Sequence, residues 1–190
     1  MNVPNRLTIS RLLLTGAFVL ILSVGMPFAY TTSLVLFIIA AFTDFFDGRI
    51  ARKNKIVTDF GILMDPLADK VLTCAAFILF AELGCMPAWM VVVVVAREIG
   101  ITGLRMLAAA KNRILPAEKL GKYKTTAQLT CIISIFVQLS VPEWGSIGEL
   151  IFGLWVDWFV LAAIWIALGL TVLSGGRYLW QNRDLFLHDM

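Results

Sequence analysis

The chain has 190 residues, 59% of them hydrophobic and 15% charged, with a formal net charge of +3 and a mean hydropathy of +0.86. That balance lies outside the range of soluble globular domains and identifies an integral membrane protein. The longest polar interval, around Lys111 to Lys124, leaves no room for a separate soluble domain, so residues 1–190 read as one membrane-embedded domain, with no case for nucleic acid.

The opening MNVPNRLTIS, with Pro4 and with Arg6 and Arg11 flanking Leu7 and Ile9, predicts a short amphipathic segment at the interface. A cleaved leader over residues 1–24 is disfavoured because nothing soluble follows it. Residues 12–43 carry no charge. At the helical rise they would span ~48 Å, too long for one crossing of a ~30 Å core. Gly25-Met26-Pro27 divides them. The predicted spans run from about Thr8 to Val24, Thr31 to Ala51, Thr58 to Leu83, Pro87 to Ala110, Thr125 to Ser140 and Leu150 to Leu173. The expected fold is all-α, with six transmembrane helices.

Lysine and arginine are distributed unevenly over the connections. Arg6, Arg11, Arg49, Arg52, Lys53 and Lys55, the cluster from Lys111 to Lys124, and Arg177 and Arg183 all fall on one side, whereas the other carries acidic Glu82, Glu143 and Glu149. The positive-inside rule then puts both termini and the turn between spans two and three in the cytoplasm, with the chain multi-pass in a cell membrane, most simply a bacterial plasma membrane. The excess of positive charge also favours anionic membrane lipids. Cys74, Cys85 and Cys131 are odd in number and form no CxxC pair, so they read as small hydrophobes. His188 reads as a solvated tail residue, and Asp157 as an interfacial one.

Against this background four carboxylates stand out: Asp44 and Asp47 at the end of the second span, Asp65 and Asp69 in the third. An intramembrane carboxylate costs roughly 2.5–3.5 kcal/mol, so four unpaired ones would cost on the order of 10 kcal/mol. Spacings of three and four residues put each pair on one helix face. Asp65 lies ~10 Å and Asp69 ~16 Å along the third helix, so the quartet can converge on one or two divalent cations at headgroup depth. Gly48, Ala51 and Gly61 share those faces and would let a ligand approach the backbone; ordinary tight helix packing is the competing explanation for them. A metal cluster at that depth suits a lipid pyrophosphate, whose charge must be neutralised before a nucleophile reaches phosphorus.

The pattern Asp44-x-x-Asp47-Gly48-x-x-Ala51-Arg52, eight further residues, then Gly61-x-x-x-Asp65-x-x-x-Asp69 resembles in full the signature of the CDP-alcohol phosphotransferases. The opening Asn2-x-Pro4-Asn5-x-Leu7-Thr8, the Arg97-Glu98 pair and Gly121-Lys122-x-Lys124-Thr125 are similar to the members that make phosphatidylglycerophosphate. The resemblance implies the CDP-alcohol phosphotransferase fold and a homodimeric enzyme using two Mg2+ or Mn2+ ions. It implies transfer of a phosphatidyl group from CDP-diacylglycerol to glycerol 3-phosphate, with release of CMP. It further implies that Asp44, Asp47, Asp65 and Asp69 ligate metal, that Asp69 is also the general base, and that Gly48, Ala51, Arg52 and Gly61 line the CDP pocket. Spacing alone does not separate ligand from base, since a metal-bound carboxylate is a poor base at neutral pH.

The acceptor's phosphate needs its own cations, and Arg105, Arg113, Lys122 and Lys124 at the cytoplasmic ends of spans four and five are the candidates, with Thr8 from the first span. A solvated positive-inside loop is the competing explanation for Lys111, Arg113 and Lys119. Lys122-x-Lys124-Thr125 lacks the glycine pattern of a P-loop. Arg97 and Glu98 read either as an internal electrostatic strut or as part of the pocket. Two alternatives remain in view: a family member with another acceptor, such as inositol phosphate, phosphatidylglycerol or serine, and a divalent-cation transporter. The transporter is disfavoured because no matched polar constellation faces the outer side and no inverted repeat is visible.

Overall fold

The computed structural model describes the backbone of residues 3–54, 59–110 and 119–183, and the side chains of residues 9–43, 70–109 and 120–183. All regular structure among the described residues is helical. It comprises α1 (Val3–Val24), α2 (Ala29–Asn54), α3 (Asp59–Glu82), α4 (Ala88–Ala110), α5 (Lys119–Ser140), a 3-10 turn (Val141–Trp144), α6 (Gly145–Phe152) and α7 (Val156–Gln181). Two stretches, Leu120–Phe152 and Val156–Gln181, are long and apolar enough to cross a bilayer, and Ile9–Val24 and Ala29–Thr43 are shorter apolar helices. Arg97, Glu98 and Arg105 interrupt the apolar run of α4.

The boundaries differ most from the sequence reading in three places, one of them the start of α5 at Lys119 rather than Thr125, which puts Lys122 and Lys124 within the helix. The first helix starts at Val3, so the expected interfacial lead-in continues directly into α1. The expected sixth span, Leu150 to Leu173, is instead two helices separated at residues 153–155, the second reaching Gln181.

The long helices alternate in direction. Phe18 meets Phe37 across the α1–α2 turn, with ring centroids 6.4 Å apart. Lys70 and Glu98 meet across the α3–α4 turn, and Gln128 and Thr171 across the α5–α7 connection. The connections 25–28, 83–87 and 141–155 therefore gather at one end, here the closed end. The last turns of α2 and α4 and the first turns of α3 and α5 gather at the other, the site end.

Gly25 ends α1 with φ +68°, in the left-handed region where a side chain would strain. Pro27 follows and blocks continuation of the helix. Glu143 then secures the start of α2. Its carboxylate accepts the Tyr30 and Thr31 amides at 3.0 and 2.8 Å and the Thr31 hydroxyl at 2.5 Å, satisfying amides that a helix start leaves without partners. Trp144 Nε1 donates to Thr31 Oγ1 at 2.9 Å, so the α5–α7 connection is tied to the α1–α2 turn.

The core lies between these ends. Phe18, Phe37, Phe80 and Phe136 from α1, α2, α3 and α5 are fully buried, and Phe80 and Phe136 pack edge-on at 4.9 Å. In a bilayer, lipid tails are as apolar as these rings, so close packing rather than water exclusion holds the helices together. Each edge-on pair contributes about 0.5–1.5 kcal/mol beyond its buried area.

Candidate active site

Asp44 and Asp47 lie in the unbroken helix α2, Asp65 and Asp69 in α3, and these two helices contact each other. Helical spacing of three and four residues keeps each pair on a common face. The side chains of the quartet lie outside the described residues, as do those of Ala51, Arg52, Thr8 and Arg113; Gly48 and Gly61 are known only as positions in α2 and α3. The donor set itself, four carboxylates on two contacting helices, fits hard divalent cations that take oxygen ligands. Among the described residues no group of three or more His, Cys, Asp or Glu side chains is placed to hold a metal. Pro66 sits inside α3, between Asp65 and Asp69. It cannot donate the backbone bond that the carbonyl four residues earlier would receive, so the site-end turns of α3 are held less firmly by their own backbone.

Directly after Asp69 a buried polar network begins. Glu98, at the middle of α4, is 1% exposed. Its Oε1 accepts Lys124 Nζ of α5, Gln128 Nε2 at 3.2 Å and Arg97 Nη1 at 3.4 Å, and its Oε2 pairs with Lys70 Nζ of α3 at 3.3 Å. Gln128 Nε2 also reaches Thr171 Oγ1 of α7 at 3.1 Å. Arg97 Nη2 donates to Ser174 Oγ at 3.1 Å. One carboxylate thus ties α3, α4, α5 and, through two neighbours, α7. Burial of an ion pair is tolerated when further hydrogen bonds satisfy the charge; Glu98 Oε1 has three donors, whereas the buried Oε2 has the Lys70 ion pair and no hydrogen bond.

The packing of α7 is shaped to admit this network. A Cβ on Gly175 would sit 2.9 Å from Arg97 Cγ, so a larger residue here would force the arginine stem to shift. Thr171, Ser174, Gly175 and Tyr178 form the buried stripe of α7 at this level. Two helical turns from Glu98 toward the site end, Arg105 is exposed; its Nε donates to Tyr178 OH at 3.3 Å and its guanidinium carbon lies 5.3 Å from the ring centroid. Tyr178 thereby orients the guanidinium at the bundle end that also carries the aspartate helix turns.

The basic candidates separate by environment. Lys122 is exposed, whereas Lys124 is 2% exposed and paired with Glu98. Arg11, grouped in the sequence reading with the loop cations, is 4% exposed within α1. Of the two readings open for Arg97 and Glu98, the geometry is that of the internal strut. The roles of Lys70, Gln128, Thr171, Ser174 and Tyr178 were missed, although polar residues at helical spacing in an apolar span are themselves a signal. Asp157 receives Gln138 Nε2 at 2.6 Å near the closed end, far along the chain from any of these groups. Cys74, Cys85 and Cys131 form no disulfide with one another.

Beside the second helix, an apolar groove of about 300 Å³ is lined by Ile38, Ala41 and Phe42 of α2 and Leu129 and Ile133 of α5. Phe42 precedes Asp44 by two residues, so the groove runs from the aspartate level toward the middle of the bundle.

Comparison with known proteins gives one consistent result. Residues 1–173 match the CDP-alcohol phosphatidyltransferase family model. A Bacillus subtilis protein named CDP-diacylglycerol–glycerol-3-phosphate 3-phosphatidyltransferase is 38% identical over 193 residues, covering 95% of each chain. Proteins of the same name from Cereibacter sphaeroides and Rickettsia bellii are 33% and 34% identical, covering 93% and 97% of both chains.

Proposed function

The chain belongs to the CDP-alcohol phosphatidyltransferase family, and we propose that it transfers the phosphatidyl group of CDP-diacylglycerol to glycerol 3-phosphate, giving phosphatidylglycerophosphate and CMP. The observation that carries this reading is the full-length likeness to relatives named for that reaction, joined to four aspartates at fixed spacing on two contacting helices. The enzyme is a membrane protein of phospholipid biosynthesis. Its six crossings, cytoplasmic termini and homodimeric state belong to the proposal.

Asp44, Asp47, Asp65 and Asp69 would hold two divalent ions, Mg2+ or Mn2+, which when bound neutralise the pyrophosphate and the charge on the departing CMP. Gly48, Ala51, Arg52 and Gly61 line the CDP side, where small residues admit the nucleotide close to the backbone. Asp69 takes the proton of the attacking acceptor hydroxyl. The hydroxyl oxygen bonds to the phosphorus that carries diacylglycerol, the bond from that phosphorus to the bridging oxygen breaks, and CMP leaves with that oxygen.

Arg105, Arg113 and Lys122, with Thr8, receive the acceptor's phosphate. Lys124, already neutralised by Glu98, contributes less of its charge there. The apolar groove between α2 and α5 suits an acyl chain of the donor, because it is continuous with the aspartate level and lined by hydrocarbon.

The test is label transfer from radiolabelled CDP-diacylglycerol by purified protein in mixed micelles, offered glycerol 3-phosphate, serine, inositol phosphate or phosphatidylglycerol in parallel. Label in phosphatidylglycerophosphate with equal release of CMP is expected. Preference for another acceptor overturns the acceptor assignment, and no transfer to any of them overturns the activity.

A further inference from the structure

We propose that Lys70 is a positioning residue for the transfer step: joined through Glu98 to Lys124, it fixes the turn of α3 that carries Asp69. This rests on the reading of Asp69 as part of the reacting site. Lys70 directly follows Asp69 in the helix, and its ammonium lies 3.3 Å from Glu98 Oε2. Glu98 is itself immobilised from three further directions, by Lys124, Gln128 and Arg97. The bridge therefore refers one turn of α3 to two neighbouring helices at once.

Much of the described packing of α3 against its neighbours is apolar. Leu72, Ala76, Phe77 and Phe80 are buried hydrocarbon, which resists separation of helices but sets their rotation weakly. Pro66 removes a backbone bond just upstream. A reacting group must be held within about 0.5 Å, and a misplacement of about 1 Å costs on the order of a hundredfold in rate. An ion pair one residue from the proposed base adds a fixed point on α3 that apolar packing alone does not supply.

The exposure gradient makes the idea testable without unfolding the protein. The Lys70 side chain is 24% exposed and that of Glu98 only 1%. Removing Lys70 leaves Glu98 with Lys124, Gln128 and Arg97, so the strut persists while its link to α3 is cut.

Lys70→Met and Lys70→Arg are compared with wild type as full-length protein in mixed micelles, by steady-state kinetics, melting temperature and Mn2+ binding followed by electron paramagnetic resonance. Lys70→Met is expected to lower kcat at least about tenfold and weaken Mn2+ binding several-fold, with the KM for glycerol 3-phosphate changed by no more than about twofold. Lys70→Arg restores most of both losses, because it can still reach the carboxylate. Wild-type kcat and Mn2+ binding in Lys70→Met would overturn the proposal. So would a loss confined to the acceptor KM, which would make Lys70 a phosphate ligand, or a fall in melting temperature that accounts for the whole effect. Should the wild type transfer no phosphatidyl group, the proposed function fails, and the Mn2+ binding of Lys70→Met still decides whether Lys70 positions the aspartate helix.

Discussion

Glu143 and Glu98 are both inward-turned carboxylates in an apolar bundle, yet their surroundings differ in kind. Glu143, at the closed end, receives only neutral donors, two backbone amides and a hydroxyl of the α2 start. Glu98, toward the site end, is surrounded by Lys70, Lys124 and Arg97. The first is a helix cap that fixes one turn. The second is the hub through which four helices share one charged centre, and through which α3 meets α4 and α5. In an environment without a hydrophobic drive between helices, the closed end is secured locally and the site end by charge.

The sharpest separation of chemistry from scaffold comes from the proposed base. Asp69→Asn is expected to lower kcat by about 10²–10⁴-fold, the usual worth of a general base, while the melting temperature and CDP-diacylglycerol binding stay at wild-type levels. Turnover near wild type in that variant removes Asp69 as the base.

Next in size is Glu98→Ala, which leaves Lys124 buried without its partner and should destabilise the protein by about 3–5 kcal/mol. Thermal unfolding in detergent checks this, and an unchanged melting curve would break the contrast between the two glutamates. Arg105→Ala comes third. It should raise the KM for glycerol 3-phosphate by about tenfold, in line with loss of one charge-assisted phosphate contact, with the KM for CDP-diacylglycerol unmoved. Glu143→Gln is the smallest. It keeps an acceptor oxygen and loses the charge at a helix N-terminus, so stability should fall by about 1 kcal/mol and turnover by nothing measurable.

The helix starts and stops that depend on local chemistry were legible in the sequence. Gly25 and Pro27 break the first apolar run where expected, and Gly84 with Pro87 separates α3 from α4. Where packing overrides local preference, the sequence misleads. The expected sixth span ends at Leu173, yet α7 continues to Gln181, with Gly175 lying against Arg97 within it. The break at residues 153–155 carries no charge or proline to mark it. In the site, the aspartate spacing and the family signature are visible along the chain. Apart from its neighbour Arg97, the partners of Glu98 are not, since they lie 26, 28 and 30 residues away in sequence and are joined only by the bundle.

In the proposed reaction the aspartates of α2 and α3 hold dications on which phosphatidyl transfer depends. This dependence is measured by following label from CDP-diacylglycerol into phosphatidylglycerophosphate after stripping the purified protein with a chelator, then adding back Mg2+ or Mn2+. Loss of transfer on stripping and its return with either ion is the predicted result. Transfer that proceeds undiminished in the stripped protein would contradict the account.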